Sequence, residues 1–353
     1  MGQEKERPLQ RKIYTLAQSE TGQFLFPAQS NEKIVLGNGS DLSNYKRWVD
    51  RAKRKITSQA MNLGLIEAAE NKGDLERLQE YWNTFHCLER LTNHEGRSYG
   101  KYCKNRSCTL CSSIRKAEII NRYSPVLQCW EAPFFITLTV RSVNASDLNK
   151  LIGDCNKTLQ KIIKRLKKRH ERGKGVKPVG IRSLECNFNP AKGTYNPHFH
   201  LIVENEEIAD AIIKEWLKDW TPKHALPYCQ DKQRVRNIES CLIEVIKYSS
   251  KIFSEPDASG KDRLPNQIYA AALDNIFQAL KPHRIFDRFG FNAPKVEKEV
   301  KLQLVPASEC EEYIYAVEVY DWINEKTGER LTGYTPTAQI HAILLENIDT
   351  NIQ

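Results

Sequence analysis

The stretch Thr194-Tyr-Asn-Pro-His-Phe-His-Leu-Ile-Val203 places two histidines, His198 and His200, directly before an apolar run. In an extended strand successive side chains point to opposite faces, so both imidazoles lie on one face and Phe199 lies on the other. Two imidazoles on one face can bind one metal ion, since imidazole is a common metal ligand. The alternative is a half-buried strand whose histidines only form its polar face.

The composition is that of a globular protein with a basic surplus. The chain has 353 residues, of which 40% are hydrophobic and 27% charged, and its net charge of +9 favours an anionic partner. It has no apolar run of about eighteen residues, and its first residues lack the apolar core of a signal peptide. We therefore expect a cytoplasmic protein that does not associate with membranes. Its ten cysteines are then expected to be thiols or metal ligands rather than disulfides.

A cysteine cluster precedes the histidine strand. Three cysteines follow a Cys-x4-Cys-x2-Cys spacing among polar residues: Cys103, Cys108 and Cys111. This spacing is typical of a tetrahedral zinc site, whereas isolated reduced cysteines are commonly small buried apolar residues. Cys87 is the preferred fourth ligand, with His94 and His86 as alternatives. Four protein ligands leave no open position, so we predict a structural zinc ion.

Strand and helix patterns alternate around the histidine strand. Period-2 alternation predicts strands over residues 133–140, 180–188, 194–203 and, more weakly, 233–239. Apolar stripes predict a helix from Ser146 to the glycines at 173 and 175, and another over residues 207–220. The order strand, helix, strand, strand, helix, strand is that of a ferredoxin-like fold. We predict an α+β protein whose ferredoxin-like antiparallel sheet carries helices on one face, with a Cys-rich zinc knuckle and an N-terminal helical region.

Four segments are predicted along the chain. Residues 1–80 form an N-terminal arm and helical region, with helix expected from Asp41 to Leu78, and residues 81–125 form the Cys-rich zinc-binding segment. Residues 126–255 form the core that carries the histidine strand. Residues 256–353 form a C-terminal region without a recognised functional motif.

Glu185 is predicted to join the histidines. It lies on the polar face of the strand 180–188, and the polar faces of antiparallel neighbours coincide, so its carboxylate can reach a metal held by His198 and His200. A carboxylate among imidazoles suits Mg²⁺ or Mn²⁺. The alternative for Glu185 is an ordinary carboxylate on a strand surface.

A later helix carries a candidate nucleophile. Glu244, Tyr248 and Lys251 lie at i, i+4 and i+7 of a helix predicted over residues 240–251, so all three share one face. If a metal ion polarises a phosphodiester and the Tyr248 phenolate attacks its phosphorus, the protein becomes covalently joined to a 5′ phosphate. A nearby cation favours the phenolate, and the metal ion, Lys247 or Lys251 can supply it. Glu244 can activate a water molecule for hydrolysis. The alternative for Glu244 is a surface partner of its helical neighbours.

Basic residues are clustered rather than evenly spread. Residues 46–55 hold one block and residues 161–177 hold another. Five residues of the second block are candidates for binding DNA phosphates: Lys164, Arg165, Lys167, Lys168 and Arg169. The alternative is the solvated face of a helix.

Three motifs resemble those of the replication initiators of rolling-circle plasmids, within the HUH endonuclease superfamily. They are Phe135-Ile-Thr-Leu-Thr139, Asn196-Pro-His-Phe-His-Leu-Ile202 and Glu244-Val-Ile-Lys-Tyr-Ser-Ser-Lys251. The chain is most similar to initiators with one catalytic tyrosine and a glutamate four residues before it, and the likeness covers residues 85–290. The cysteine cluster also resembles one in that family, except that Thr109 stands where relatives often have proline.

The resemblance implies a metal-dependent endonuclease that nicks one strand of a plasmid double-strand origin and leaves a 3′ hydroxyl to prime synthesis. His198 and His200 would be metal ligands, Tyr248 the nucleophile and Glu244 the base for terminating hydrolysis. A host helicase and DNA polymerase are implied as partners. Two other functions remain open, namely an HUH transposase or relaxase and a catalytically inactive, zinc-containing DNA-binding regulator.

Overall fold

The computed structural model describes residues 33–36, 39–246, 266–292 and 302–338, which fall into two compact units. One unit comprises Met1–Cys111 with Lys298–Gln353, and the other comprises Ser112–Glu297. Both combine helices with antiparallel sheets, in agreement with the predicted α+β class. The four-segment division stays a prediction.

Seven α-helices lie in the described residues. In chain order they are α1 (Tyr45–Asn71), α2 (Leu75–Phe85), α3 (Thr109–Leu127), α4 (Ala145–Glu171), α5 (Glu206–Asp219), α6 (Ile238–Val245) and α7 (Asn266–Leu280). None of these helices is long and apolar enough to cross a membrane.

Twelve β-strands lie in the same residues. In chain order they are β1 (Lys33–Leu36), β2 (Ser40–Asp41), β3 (Arg90–His94), β4 (Arg97–Gly100), β5 (Phe134–Thr139), β6 (Gly180–Asn189), β7 (Thr194–Val203), β8 (Asp231–Arg234), β9 (Phe286–Phe289), β10 (Gln303–Pro306), β11 (Glu311–Ala316) and β12 (Asp321–Asn324).

The first unit holds a five-stranded antiparallel sheet in the order β12-β11-β3-β4-β2 and a two-stranded sheet of β1 and β10. The single helical segment predicted over residues 41–78 is divided into α1 and α2. The break is local, because Gly73 has a φ of +66° and the Asp74 side chain accepts a hydrogen bond from the Arg77 N–H to begin α2.

The second unit is built on a five-stranded sheet in the order β8-β5-β7-β6-β9. One face is covered by α4, α5 and α7, and its core includes Ile136, Leu184 and Phe199. On the opposite face Ile181 and Ile202 pack against side chains of α3 and α6. The prediction of helices on one face only is therefore wrong. Near one end of the sheet, the strands carry apolar side chains on both faces, so helices pack against each face.

Element ends differ from the predictions in three places of the second unit. The weak strand expected over residues 233–239 is β8 at Asp231–Arg234, and Asn237 instead caps α6 by accepting a hydrogen bond from the Ser240 N–H. Asn144, not Ser146, precedes the first turn of α4. The helix expected over residues 240–251 begins earlier, as α6, and residues 247–251 lie outside the described residues.

Candidate metal and cysteine sites

The register of β6 and β7 brings three candidate ligands to one sheet face. Glu185 lies directly opposite His198, and Ser183 lies opposite His200. Because paired residues of antiparallel strands point the same way, Glu185 and both imidazoles share a face. It is the face on which Ile181 and Ile202 pack against α3 and α6.

The donor atoms of these three residues converge. The Glu185 Oε2 atom lies 3.7 Å from His198 Nε2 and 3.6 Å from His200 Nε2, and the three side chains are buried. Within the described residues, Glu185 Oε1 and His200 Nε2 are buried without a hydrogen-bond partner, which is rare for polar atoms. Donors separated by such a distance can both lie about 2.1 Å from one ion. The three residues therefore fit a divalent cation, although their role as ligands stays a prediction.

The protonation of these groups suits a metal ion. His198 Nδ1 lies 3.0 Å from the carbonyl oxygen of Asn196 and must donate to it, so Nε2 is the ring nitrogen that faces Glu185. Burial raises the pKa of Glu185, but the two nearby imidazoles outweigh this effect and lower it to about 2. The carboxylate is thus ionised at neutral pH, as a cation ligand must be.

Helix α6 places the start of the third motif on the same sheet face. Its residues Leu242 and Val245 pack against Ile181 and Ile202, so the helix that carries Glu244 covers part of the face that holds the histidines. Tyr248 and Lys251 lie outside the described residues. The structure therefore supports the position of the helix and leaves the predicted roles of its side chains untested.

The structure gathers four cysteines in the first unit. The Sγ atoms of Cys87, Cys103, Cys108 and Cys111 lie within 4.8 Å of one another, and Cys111 Sγ is 3.6 Å from both Cys87 Sγ and Cys103 Sγ. This separation is far beyond a disulfide bond. It is close to the roughly 3.8 Å between sulfurs of a tetrahedron with Zn–S bonds of about 2.3 Å. The four cysteines therefore fit one tetrahedral ion.

Cys87, rather than a histidine, accompanies the Cys-x4-Cys-x2-Cys cluster. His86 Nδ1 instead lies 3.0 Å from Glu89, and His94 Nε2 lies 3.7 Å from Glu309. The sulfurs also receive backbone hydrogen bonds, including one of 3.2 Å from the Lys104 N–H to Cys111 Sγ. Such bonds stabilise thiolates.

A buried lysine lies beside the cysteines and was missed by the sequence analysis. The Lys55 ammonium group donates a 2.8 Å hydrogen bond to the Cys87 carbonyl and lies 4.3 Å from the centre of the Tyr315 ring. Burial lowers the pKa of Lys55 to about 8, against the opposing attraction of Cys87 and Glu89. The sequence signal for Lys55 is its place in the basic block 46–55, and that block has the pattern of a solvent-exposed helix face.

The candidate DNA-binding residues of α4 have different environments. Arg165 lies 2.8 Å from Glu215 and 2.7 Å from Asp219, and Arg169 lies 2.7 Å from Glu215. The two guanidinium groups thus pair with acids of α5, whereas Lys164 and Lys168 are exposed. Lys167 is exposed and lies 3.8 Å from Glu171. DNA binding by the five residues stays a prediction.

Comparison with known proteins relates the chain to replication proteins. A family model described as a replication protein, Rep_1, matches residues 97–310. A protein rep of Staphylococcus aureus is 29% identical over 163 residues, which cover 42% of this chain and 69% of that protein. A protein rep of Streptococcus pneumoniae serotype 2 is 23% identical over 245 residues, covering 63% and 73%. No solved structure matches the chain.

Proposed function

The chain belongs to the Rep_1 family of replication proteins, and on this premise we propose that it initiates plasmid rolling-circle replication as a metal-dependent endonuclease. It would nick one strand at the double-strand origin through a 5′-phosphotyrosine intermediate and rejoin or hydrolyse strands at termination. DNA would be its substrate, and a host helicase and DNA polymerase would act on the nicked origin.

The observation that carries the proposal is the convergence of Glu185, His198 and His200, buried on the sheet face against which α6 packs. These three residues would hold Mg²⁺ or Mn²⁺. When bound, such an ion polarises the phosphodiester and offsets charge in the transition state. A nuclease needs this help because phosphoryl transfer depends on positioning and on charge stabilisation.

The covalent step is assigned to Tyr248. Its phenolate oxygen forms a bond to phosphorus, the bond from phosphorus to the 3′ oxygen breaks, and that oxygen leaves as a free hydroxyl after protonation. Lys251 favours the phenolate, whose pKa is ordinarily near 10. At termination Glu244 accepts a proton from the water molecule that attacks phosphorus and releases the tyrosine.

The strand order of the second unit supports a ferredoxin-like HUH core. In the predicted order of strands and helices, β5, β6, β7 and β8 are the first to fourth strands. The observed order β8-β5-β7-β6 places the first and third strands at the centre, as in ferredoxin-like sheets, and β9 extends the edge. We further propose that the four cysteines bind a structural zinc ion, since four soft thiolate ligands suit zinc.

The proposal is tested by incubating the protein with an oligonucleotide from the origin and separating the products on a denaturing gel. We expect Mn²⁺ to produce a nicked strand and a slower protein–DNA adduct, EDTA to remove both, and added Mn²⁺ to restore them. An inactive DNA-binding regulator would bind the oligonucleotide without cleaving it at any metal concentration. A transposase would prefer hairpin ends of a transposon to the origin. Either result would overturn the proposal.

The exposed lysines of α4 are proposed to bind DNA phosphates. Replacing both Lys164 and Lys168 with alanine is expected to weaken binding of any DNA sequence and to lower the slope of log K against log salt by about 2. Fluorescence anisotropy across a salt series measures this slope. The matched control replaces Lys150 and Lys157, two exposed lysines of the same helix outside the basic block. Equal effects of the two double variants would show a general charge effect and refute the assignment.

A further inference from the structure

The first motif lines the metal site without contributing one of its three candidate ligands. Phe135, Thr137 and Thr139 alternate along β5, and the register places Thr137 opposite His200 and Thr139 opposite His198. These residues therefore share the face that carries the imidazoles. The resemblance that identified this motif gave it no role.

His200 is held on two sides by β5. The Thr137 Oγ1 atom lies 3.1 Å from His200 Nδ1, and the Phe135 ring stacks on the imidazole with centres 5.2 Å apart and planes at 24°. The hydrogen bond orients one edge of the imidazole and the stacking limits its rotation. As a result the opposite nitrogen, Nε2, faces Glu185 Oε2.

His198 is held through a second set of hydrogen bonds. Its Nδ1–H donates to the Asn196 carbonyl, while the Thr139 hydroxyl donates a 3.1 Å hydrogen bond to Asn196 Oδ1. The Asn196 amide group donates a 2.7 Å hydrogen bond to the Val140 carbonyl. The Gln230 side chain accepts a hydrogen bond from the Thr139 N–H and donates one to the Thr139 carbonyl. His198 therefore donates its hydrogen bond to the backbone, whereas in the described part of the chain the hydrogen bond of His200 is made with one side-chain hydroxyl.

We infer that Thr137 is a positioning residue that fixes the ring orientation of His200 so that Nε2 faces the metal site. The inference rests on the proposed metal site. When Nε2 uses its lone pair to bind a metal ion, Nδ1 carries the proton and would donate it to Thr137 Oγ1. Without that partner, other ring orientations become accessible and Nδ1–H is left unpaired, so metal binding must also restore one orientation. Partners of this kind change metal affinity by about 10–100-fold when removed.

The test is Mn²⁺ affinity, measured without DNA by electron paramagnetic resonance of free Mn²⁺. Thr137→Val keeps the shape of the side chain and removes its hydroxyl, and we expect about 10–100-fold weaker binding. Thr137→Ser restores the hydroxyl and is expected to recover most of the affinity that Thr137→Val loses. Thr194→Val, at the start of β7 in the same sheet, is the matched control and should leave affinity unchanged.

A second measurement separates positioning from folding. ¹⁵N NMR of the histidine rings should show one set of resonances for His200 in the metal-free protein, and shifted or broadened resonances from several ring orientations in Thr137→Val, or in Thr137→Ala if valine does not fold. If the unmodified protein does not bind Mn²⁺, the proposed metal site fails. If it binds but the folded valine and alanine variants bind equally well and keep one set of His200 ring resonances, only the role of Thr137 fails.

Discussion

Replacing Tyr248 with phenylalanine is expected to abolish the covalent protein–DNA adduct while leaving Mn²⁺ affinity unchanged. Phenylalanine keeps the ring and lacks the oxygen that bonds to phosphorus, so no adduct can form through this residue. The metal ligands belong to β6 and β7, and their distances do not involve residue 248. Denaturing gels with an origin oligonucleotide measure the adduct, and paramagnetic resonance measures the bound Mn²⁺.

Two other tyrosines of the second unit provide the controls. Tyr228 is 82% exposed, whereas Tyr123 is buried and lies with its ring centre 5.1 Å from that of Phe286. Tyr228→Phe should leave the adduct unchanged, because the hydroxyl that it removes has no role in the proposed reaction. An adduct that survives Tyr248→Phe and disappears in Tyr228→Phe or Tyr123→Phe would move the nucleophile and refute the assignment to Tyr248.

Replacing Cys108 with serine is expected to remove zinc and strongly destabilise the first unit. Cys87 follows α2, Cys103 follows β4, and Cys108 and Cys111 flank the start of α3, so one ion would join three parts of the chain. Zinc binding contributes about 10–16 kcal/mol in zinc-finger peptides. If the mutation removes only half of this free energy, a Tm shift of about 2–4 °C per kcal/mol predicts that Tm falls by about 10–30 °C. Metal analysis and thermal unfolding measure the two effects.

The matched control is Cys310→Ser, which also removes a buried thiol from the first unit but lies outside the group of four cysteines. It should keep the zinc content, and its Tm should fall by only a few degrees. A zinc content of zero in the unmodified protein would contradict the zinc assignment. Full zinc content in Cys108→Ser would instead show that the remaining ligands suffice, and that Cys108 is not needed.

Several features of the candidate sites followed from local patterns. Alternation in the stretch that contains His198 and His200 indicated that both share a face, and the short spacing from Cys103 to Cys111 indicated that their sulfurs can meet. Each inference spans about ten residues, over which backbone geometry alone sets which side chains are neighbours. The prediction for Glu185 also required the pairing of two adjacent antiparallel strands, which the short turn between them in the sequence favours.

Other features depend on contacts between distant segments. The guanidinium groups of Arg165 and Arg169 form salt bridges with Glu215, which lies about fifty residues later in the chain. Fewer charges of the basic block are therefore available to DNA than its composition indicates. Lys55 meets the Cys87 carbonyl, and Thr137 meets His200. Periodicity cannot predict such pairs, since each depends on how helices and strands pack after they have formed.

The sequence by itself determined the strand that presents the histidine pair, the cysteine spacing and the motifs of a replication protein, because these are properties of short segments. Only the tertiary structure decided that α3 and α6 cover the second face of the sheet, that Cys87 is grouped with the other cysteines, and that β5 supports His200. The physical reason is that burial and hydrogen bonding between segments far apart in the chain are set by packing, whereas face and spacing are set by the backbone.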